Sequence, residues 1–254
     1  MSIRSSLQDI AQRWPAYLAK RYVSSAEDVY TTITKTLPGE LRESLDARDL
    51  EVEGSTGLGN ITAAPWIAIF DRRLTTSATT GYYVVYLYSV DLETVTLCVA
   101  FGTTQFENQF GRPPKSFGPM RAAAKRLQDL YREIVPPRFV IGPIHLSAKR
   151  TQKLHYAYEQ SVIFSLPPYS IKALPSEDEL KADLTEIINL YSAIVSDPLT
   201  PSLEQLLQAT IPEPKEIVQI GVRDFVARTP KKPQNRASIK CTPSSLFSGV
   251  QKSW

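Results

Sequence analysis

The stretch from Gly57 to Asp71 holds the residues best suited to recognition chemistry. Two glycines flank Leu58, and glycine tolerates positive φ values and close approach to a ligand, so we expect Leu58 to stand at a loop tip. The run from Trp66 to Phe70 is rich in β-formers and too short for a typical helix, which predicts a central strand. A loop tip beside a large aromatic side chain is typical of a recognition site. The alternative is a tight turn leading into a core strand, because large aromatic residues usually pack inside.

Ligands for metal or nucleophilic chemistry are sparse in this sequence. The two histidines, His145 and His155, and the two cysteines lack the spacing of a zinc site or a zinc deaminase. The Gly-x-x-x-x-Gly-Lys loop that binds nucleotide phosphates is also missing from the sequence. We therefore expect no metal, no cofactor and no enzyme activity. A metal-dependent nuclease built on Asp71 or Glu93 is the least favoured alternative.

The composition is that of a soluble globular protein, with 43% hydrophobic and 22% charged residues over a chain of 254 residues. Neither a bilayer-length apolar segment nor a signal peptide is recognisable, so we expect a cytoplasmic protein without membrane contact. The net charge of +3 is uneven, because residues 222–254 carry seven basic residues and one acid, a net +6, and the rest of the chain carries −3. DNA contact outside that basic segment must therefore rest on a local patch.

Helical periodicity dominates the first 50 residues. Apolar spacings of three and four predict a helix over residues 4–21 that Pro15 interrupts. A second helix is expected from Ser25 until Pro38-Gly39 ends it, followed by a short third helix over residues 40–49. These helices either pack on a sheet or form a dimer surface.

Strand patterns dominate from residue 50 onward. Strands are predicted over residues 50–53, 66–71, 82–88, 95–101, 138–146 and 154–164, with a long loop over residues 103–119. Further helices are predicted over residues 121–134, from the Ser176/Glu179 capping box to Asp197, and over residues 202–209. The charges on helix 121–134 form either a solvated face, which we favour, or a phosphate-facing patch.

These patterns predict a mixed α+β fold: a central, mostly antiparallel curved β-sheet flanked by helices, with N-terminal helices and a disordered basic C-terminal tail. The expected divisions are a helical segment over residues 1–50, a core domain with its closing helix over 51–196, a short helix and linker over 197–228, and the tail over 229–254. The tail is expected to contact nucleic acid nonspecifically or to dock a partner.

The glycine turn and the strands after it resemble a known protein family. Gly-x-Gly-Asn at residues 57–60, then Pro65-Trp66 and an apolar strand, then the Tyr-rich strand after Gly81 resemble the MrcB-like N-terminal domain family, the modified-cytosine readers typified by McrB. The run Tyr156-Ala157-Tyr158-Glu159 and a closing helix with Asp183-Leu184 follow in the same order. The resemblance spans roughly residues 1–195 and is most specific over residues 57–89.

This resemblance implies a domain that binds double-stranded DNA and flips a modified cytosine, 5-methylcytosine or a related base, into an aromatic pocket. Leu58 falls at the position of the family's wedge, on the loop backbone of Gly57, Gly59 and Asn60. The implied pocket residues are Trp66, Tyr83 and Leu87. We expect the basic cluster of Lys149, Arg150 and Lys153 to contact phosphates.

The sequence departs from the family pattern at the second aromatic wall of the pocket, whose counterpart would fall near Thr151. Tyr156 is our candidate for this wall, with His155 and Tyr158 as alternatives. Without such a wall, a bulkier modification or simple DNA binding becomes the expectation. The alternative interpretation is structural: these aromatic residues alternate between the hydrophobic core and solvent and form no pocket wall.

A second departure concerns the motor. McrB continues into a GTP-hydrolysing AAA+ motor, whose phosphate-binding loop has no counterpart in this sequence. We therefore expect a separate motor or nuclease subunit as partner, within a modification-dependent restriction or phage-defence system. The alternative function is a protein-interaction adaptor of a defence complex with only nonspecific DNA binding.

Overall fold

A curved antiparallel sheet forms the centre of the computed structural model, which describes residues 2–45, 49–75, 77–149 and 151–210. Its strands are β1 (Leu50–Ser55), β2 (Trp66–Asp71), β3 (Tyr82–Tyr88), β4 (Thr94–Phe101), β5 (Val140–Ile141), β6 (Val162–Ser165) and β7 (Tyr169–Ser170). The strand order is β1-β2-β3-β4-β6-β5, and β7 also pairs with β4. Every pairing is antiparallel. The predicted mixed α+β class is therefore confirmed.

Helices flank this sheet along the described chain. They are α1 (Ile3–Leu18), α2 (Asp28–Thr31), α3 (Leu37–Ser44), α4 (Thr104–Phe110), α5 (Phe117–Tyr131), α6 (Lys153–Ser161), α7 (Glu177–Ser196) and α8 (Leu203–Ala209). A π-helical turn, Thr32–Thr36, joins α2 to α3, and a 3₁₀ turn, Ile171–Ala173, follows β7. The segment predicted as a tail lies outside the described residues.

The two faces of the sheet bury apolar side chains in two separate clusters. The larger cluster combines alternate residues of the central strands, such as Ile67, Val84 and Leu97, with the apolar sides of α1, α3 and α7. The smaller cluster contains the intervening residues, including Phe70, and is covered in part by Leu146. Because both faces are covered, β3 and β4 are apolar along almost their whole length instead of alternating with polar residues.

Two helix-breaking predictions are wrong at the N-terminus. Helix α1 continues through Pro15 to Leu18. Pro38 does not end the second helical stretch, because it stands in the first turn of α3, where proline's missing N–H has no intrahelical partner to lose. These N-terminal helices share one hydrophobic core with the sheet, which corresponds to the packing alternative.

The segment from residue 154 to 164, predicted as one strand, is helix α6 followed by the short strand β6. A strand would place Tyr156 and Tyr158 on one face, whereas residues two apart differ by about 200° around a helix, so α6 directs the two rings to opposite sides. The long loop predicted over 103–119 contains α4, and the strand predicted over 138–146 is reduced to β5.

The strand predictions for the meander and the capping box of the closing helix are confirmed. β2 and β3 have the predicted bounds. The Ser176 hydroxyl accepts the Glu179 N–H at the start of α7, and the Glu179 carboxylate accepts the Ser176 N–H at 2.8 Å. Local signals thus define these elements well.

Gly54 provides a test of how β1 packs against the helical turn before α3. A Cβ atom at Gly54 would lie 1.9 Å from the Ile33 carbonyl oxygen, whereas one at Gly39 in α3 would meet nothing within 4 Å. We expect Gly54→Ala to lower the free energy of unfolding by about 1–3 kcal/mol, the usual cost of overpacking. Gly39→Ala should be neutral or raise it by up to about 1 kcal/mol through helix propensity. Urea denaturation measures both, and equal midpoints for the two variants would contradict this packing.

Candidate nucleic-acid interface

Leu58 stands on a loop whose backbone conformation requires glycine. Gly57 and Gly59 have φ values of +115° and +78°. A Cβ atom at Gly57 would lie 2.2 Å from the Asn60 carbonyl oxygen, so alanine would not fit there without a backbone shift. The Leu58 side chain is fully exposed. The loop therefore presents an apolar side chain to solvent from a constrained backbone.

The loop is also fixed by backbone hydrogen bonds on both sides. The Thr62 N–H donates to the Thr56 carbonyl at 2.9 Å, which closes the loop. The Ile61 N–H donates to the Arg21 carbonyl at 3.0 Å and the Val23 N–H to the Gly59 carbonyl at 2.9 Å. The segment after α1 thus holds the loop as a short antiparallel ribbon.

The chain between Leu58 and Trp66 is clamped by two buried side chains from different helices. The Trp14 indole N–H, from α1, donates to the Ala63 carbonyl at 3.1 Å. The Ala64 N–H donates to His155 Nε2, from α6, at 3.1 Å. Both side chains are almost fully buried. This clamp fixes the position at which the chain enters β2.

His155 is a tether and not a pocket wall in this geometry. His155 Nε2 lies 3.1 Å from the Ala64 nitrogen, whose N–H it accepts when unprotonated, and 3.3 Å from the Ala64 carbonyl oxygen, to which it donates when protonated. Burial lowers the pKa of His155 below its usual value. A hydrogen bond with the Ala64 backbone raises the pKa, but by less than burial lowers it. The neutral form is therefore the form that holds the clamp.

A pocket opens on the smaller face of the sheet, next to the start of β2. Its cavity volume is about 30 Å³, or about 310 Å³ when the space open to solvent is included. It is lined by Trp66, Ala78, Tyr83, Val85, Leu87, Ala100, Tyr158 and Ser161. Trp66 and Leu87 are register partners on β2 and β3, and Tyr83, Val85 and Leu87 share one face because strand side chains alternate. The small side chains Ala78 and Ala100 leave the room that larger residues would fill. Trp66, Tyr83 and Leu87 are thus brought together.

Tyr158 is the aromatic residue that α6 contributes to this pocket. Burial raises the pKa of Tyr158 to about 12, although a hydrogen bond with the Trp66 side chain opposes the rise. Its ring also meets the His155 ring edge-on, with centroids 5.7 Å apart. Tyr158 is therefore in contact with both the pocket tryptophan and the tether.

Tyr156, our candidate for the second wall, lies elsewhere. Its ring packs against Phe117 with centroids 4.9 Å apart. The two rings line a separate groove with Pro114 and Lys153. Thr151, near which the family's second aromatic pocket wall would fall, is exposed. Of the three alternatives for the wall, the structure brings only Tyr158 to the pocket among the described residues.

The basic cluster borders α6. Lys149 and Lys153 are exposed, and Arg150 lies outside the described residues. The Lys149 N–H donates to Gln152 Oε1 at 2.8 Å, just before the helix begins. Lys153 begins the helix that carries Tyr158. Lys153 and the pocket aromatic thus belong to the same helix, and Lys149 lies just before it.

The two acids considered for a nuclease are engaged in ion pairs. Asp71 is buried and ion-paired to Arg73, whose hydrogen bonds lower the pKa of that carboxyl despite its burial. Glu93 pairs with Lys172 at 3.3 Å. In the described part of the chain, no group of three or more His, Cys, Asp or Glu side chains is arranged to hold a metal ion. Over the same residues, no helix combines the length and apolarity needed to cross a membrane.

Sequence reasoning missed the tether and the small residues of the pocket. The predicted strand over 154–164 placed His155 and Tyr158 on opposite faces, whereas residues three apart on a helix lie together. The pattern Lys-Leu-His-Tyr-Ala-Tyr-Glu-Gln contains good helix formers, which was the available signal. Nothing in the local sequence marks Ala78 or Ala100.

One known family matches most of this chain in sequence. The sequence pattern described as MrcB-like, N-terminal domain matches residues 9–196, most of the chain. The chain belongs to the MrcB-like N-terminal domain family. The matched range includes the Leu58 loop, the clamp, the pocket and the cations. This membership supports a McrB-type DNA-binding module in a restriction-system setting. No curated protein matches the chain significantly in sequence.

The clamp of this MrcB-like domain makes its stability sensitive to acid. Because the folded pKa of His155 lies below the unfolded value of about 6.5, its contribution is present above that pH and is lost as the pH falls. We expect the free energy of unfolding to fall below about pH 6.5 by up to about 1.4 kcal/mol per pH unit, the limit for one proton. Denaturation at pH 7.5 and 5.5 measures it.

Two variants isolate the tether. His155→Gln keeps an acceptor for the Ala64 N–H but cannot titrate, so its loss of stability on acidification should be smaller than in the wild type. His145→Gln is the matched control, since the His145 side chain is 84% exposed. It should keep the wild-type pH dependence. A wild-type slope in His155→Gln would contradict the tether.

Proposed function

We propose that this MrcB-like domain reads DNA by flipping a modified cytosine, 5-methylcytosine in the first instance, into the pocket beside Trp66. The observation that carries the proposal is the pairing of a fully exposed Leu58 on a constrained loop with an open aromatic pocket at the end of the same clamped segment. In a restriction or phage-defence system, the domain would select the site for a separate motor or nuclease subunit.

The energetics of base flipping suit these residues. Extrusion of a base costs a few kcal/mol of stacking and pairing. Stacking on an aromatic side chain returns about 1–3 kcal/mol per base. The half-buried indole of Trp66 and the ring of Tyr158 offer such aromatic surfaces at the pocket. The pocket can therefore offset much of the extrusion cost.

Leu58 would stabilise the opened duplex, whereas the pocket stabilises the flipped base. Apolar wedges such as leucine enter base steps and stabilise an opened duplex. The backbone hydrogen bonds on both sides of the loop hold it in one conformation, so little backbone conformational entropy is lost when the side chain enters the duplex. Leu58 would occupy the space that the flipped base leaves.

The lining of the pocket favours a methyl substituent over a more polar one. Val85, Leu87 and Ala100 offer apolar surface. The Tyr83 hydroxyl already donates to the Phe101 carbonyl at 3.4 Å and the Ser161 hydroxyl to the Tyr158 carbonyl at 3.0 Å. A hydroxymethyl group could therefore only donate to these hydroxyl oxygens, and burying an incompletely satisfied hydroxyl is unfavourable. We propose 5-methylcytosine as the preferred base.

Titration of matched duplexes tests this function. The full chain should bind a duplex with one 5-methylcytosine more tightly than the same duplex with 5-hydroxymethylcytosine or cytosine. Trp66→Ala should weaken binding to the methylated duplex about 5- to 100-fold, the equivalent of one lost stacking contact. Fluorescence anisotropy at 0.2 M salt measures the affinities. Equal, weak binding to all three duplexes would contradict the reader and favour the adaptor alternative.

The two tyrosines of α6 provide a matched pair for the same titration. Tyr158→Ala should lose the preference for 5-methylcytosine, because Tyr158 lines the pocket. Tyr156→Ala should keep the preference ratio, because Tyr156 lines the other groove. Ala78→Leu should abolish the preference by filling the pocket while every aromatic residue remains. Loss of preference in Tyr156→Ala but not in Tyr158→Ala would reverse our assignment of the wall.

Lys149 and Lys153 are proposed phosphate contacts. Each phosphate contact contributes about 0.9 to the slope of log affinity against log salt concentration. The double variant Lys149→Gln/Lys153→Gln should therefore reduce that slope by about 1.8 and weaken binding to methylated and unmodified duplexes equally. Lys181→Gln, in which the lost lysine pairs with Glu177 on α7, should leave the slope unchanged. A change in base preference with an unchanged slope would contradict the phosphate role.

A further inference from the structure

Tyr22 is a large aromatic side chain that the fold leaves in solvent. It is 69% exposed, and among the large hydrophobic residues that the structure describes only Leu58 and Leu199 are more exposed. Tyr22 forms an antiparallel bridge with Asn60, on the loop that carries Leu58. The two most exposed apolar side chains of this region are therefore joined by one short ribbon.

The backbone around Tyr22 is held in place and is unusual. Arg21 has a φ of +70°, a conformation that costs a side-chain-bearing residue free energy. The Arg21 carbonyl accepts the Ile61 N–H at 3.0 Å, and the Val23 N–H donates to the Gly59 carbonyl at 2.9 Å. Strain of this kind persists where the surrounding structure fixes it, and it is common at ligand-binding sites. The backbone thus holds Tyr22 exposed.

Tyr22 and Leu58 are close enough to meet the same stretch of a duplex. Cross-strand partners have Cα atoms about 5 Å apart, and two further residues add at most about 7.6 Å, so the two Cα atoms lie within about 13 Å. Successive bases of a DNA strand are about 3.4 Å apart. Both side chains can therefore reach one segment of about four base pairs. Exposed Arg21, next to Tyr22, supplies positive charge that suits phosphates, whereas Lys20 is ion-paired to Glu27.

We propose that Tyr22 is a second DNA-contacting side chain, which stacks on a base or sugar beside the base pair that Leu58 opens. This inference rests on the proposed function, since it assigns Tyr22 to the duplex that Leu58 enters. The ribbon then contacts the duplex at two points. The Leu58 side chain fills the gap that the flipped base leaves, and the Tyr22 ring covers the exposed neighbouring base. The ligand is double-stranded DNA with an opened base pair.

The test compares three variants of the full chain on a duplex with one 5-methylcytosine at 0.2 M salt. Tyr22→Ala should weaken binding about tenfold, whereas Tyr22→Phe, which keeps the ring, should bind as the wild type does. Leu199→Ala is the matched control, because Leu199 is 74% exposed in a different region, and it should leave affinity unchanged. Unchanged thermal denaturation of Tyr22→Ala confirms that its fold is intact.

A double variant tests the joint action. The combined loss in Tyr22→Ala/Leu58→Ala should be smaller than the product of the two single losses, because each contact depends on the same opened site. Wild-type affinity in Tyr22→Ala, with Leu58→Ala impaired, would overturn the inference and leave the proposed function standing. A loss of affinity in the double variant equal to the product of the two single losses would overturn the joint action of Tyr22 and Leu58. A wild type without preference for the methylated duplex would overturn both proposals.

Discussion

The clamp on residues 62–64 is the constraint on which the rest of the interface depends. Trp14 and His155 belong to helices at opposite ends of the domain sequence, yet both bind the same short segment, one through the Ala63 carbonyl and one through the Ala64 N–H. Backbone groups in a buried connection need partners, and these two side chains supply them. As a result, the loop tip on one side and the start of β2 on the other have fixed positions relative to the sheet.

The pocket follows from an unequal covering of the two sheet faces. Helices α1, α3 and α7 cover the face that contributes to the larger cluster, whereas the other face meets α6 and the segment through Leu146. At the edge of that second cover, Ala78 and Ala100 stand where larger residues would close the surface. Trp66 is therefore half-buried at the rim of a core, a position from which it packs against the core and, under the proposed function, would also contact the flipped base.

Local chemistry made part of this structure predictable. The glycine turn, β2, β3 and the capping box of α7 depend on neighbouring residues, and the sequence patterns identified them. The structures around Pro38 and over residues 154–161 depend on tertiary context. A proline can end a helix or stand in its first turn, and the Tyr-Ala-Tyr pattern is compatible with a strand or a helix. The pocket wall was uncertain for the same reason. Only the helical form of α6 places Tyr158 beside Trp66 and directs Tyr156 to Phe117.

The central claim is that this MrcB-like domain takes a modified cytosine out of the duplex and holds it beside Trp66. The most direct measurement is a crystal structure of the full chain bound to a duplex with a single 5-methylcytosine. Our account predicts an extrahelical base in contact with Trp66, Leu87 and Tyr158, and Leu58 in the space that the base has left. A bound duplex in which the methylated base remains stacked and paired, with the pocket beside Trp66 empty, would contradict it.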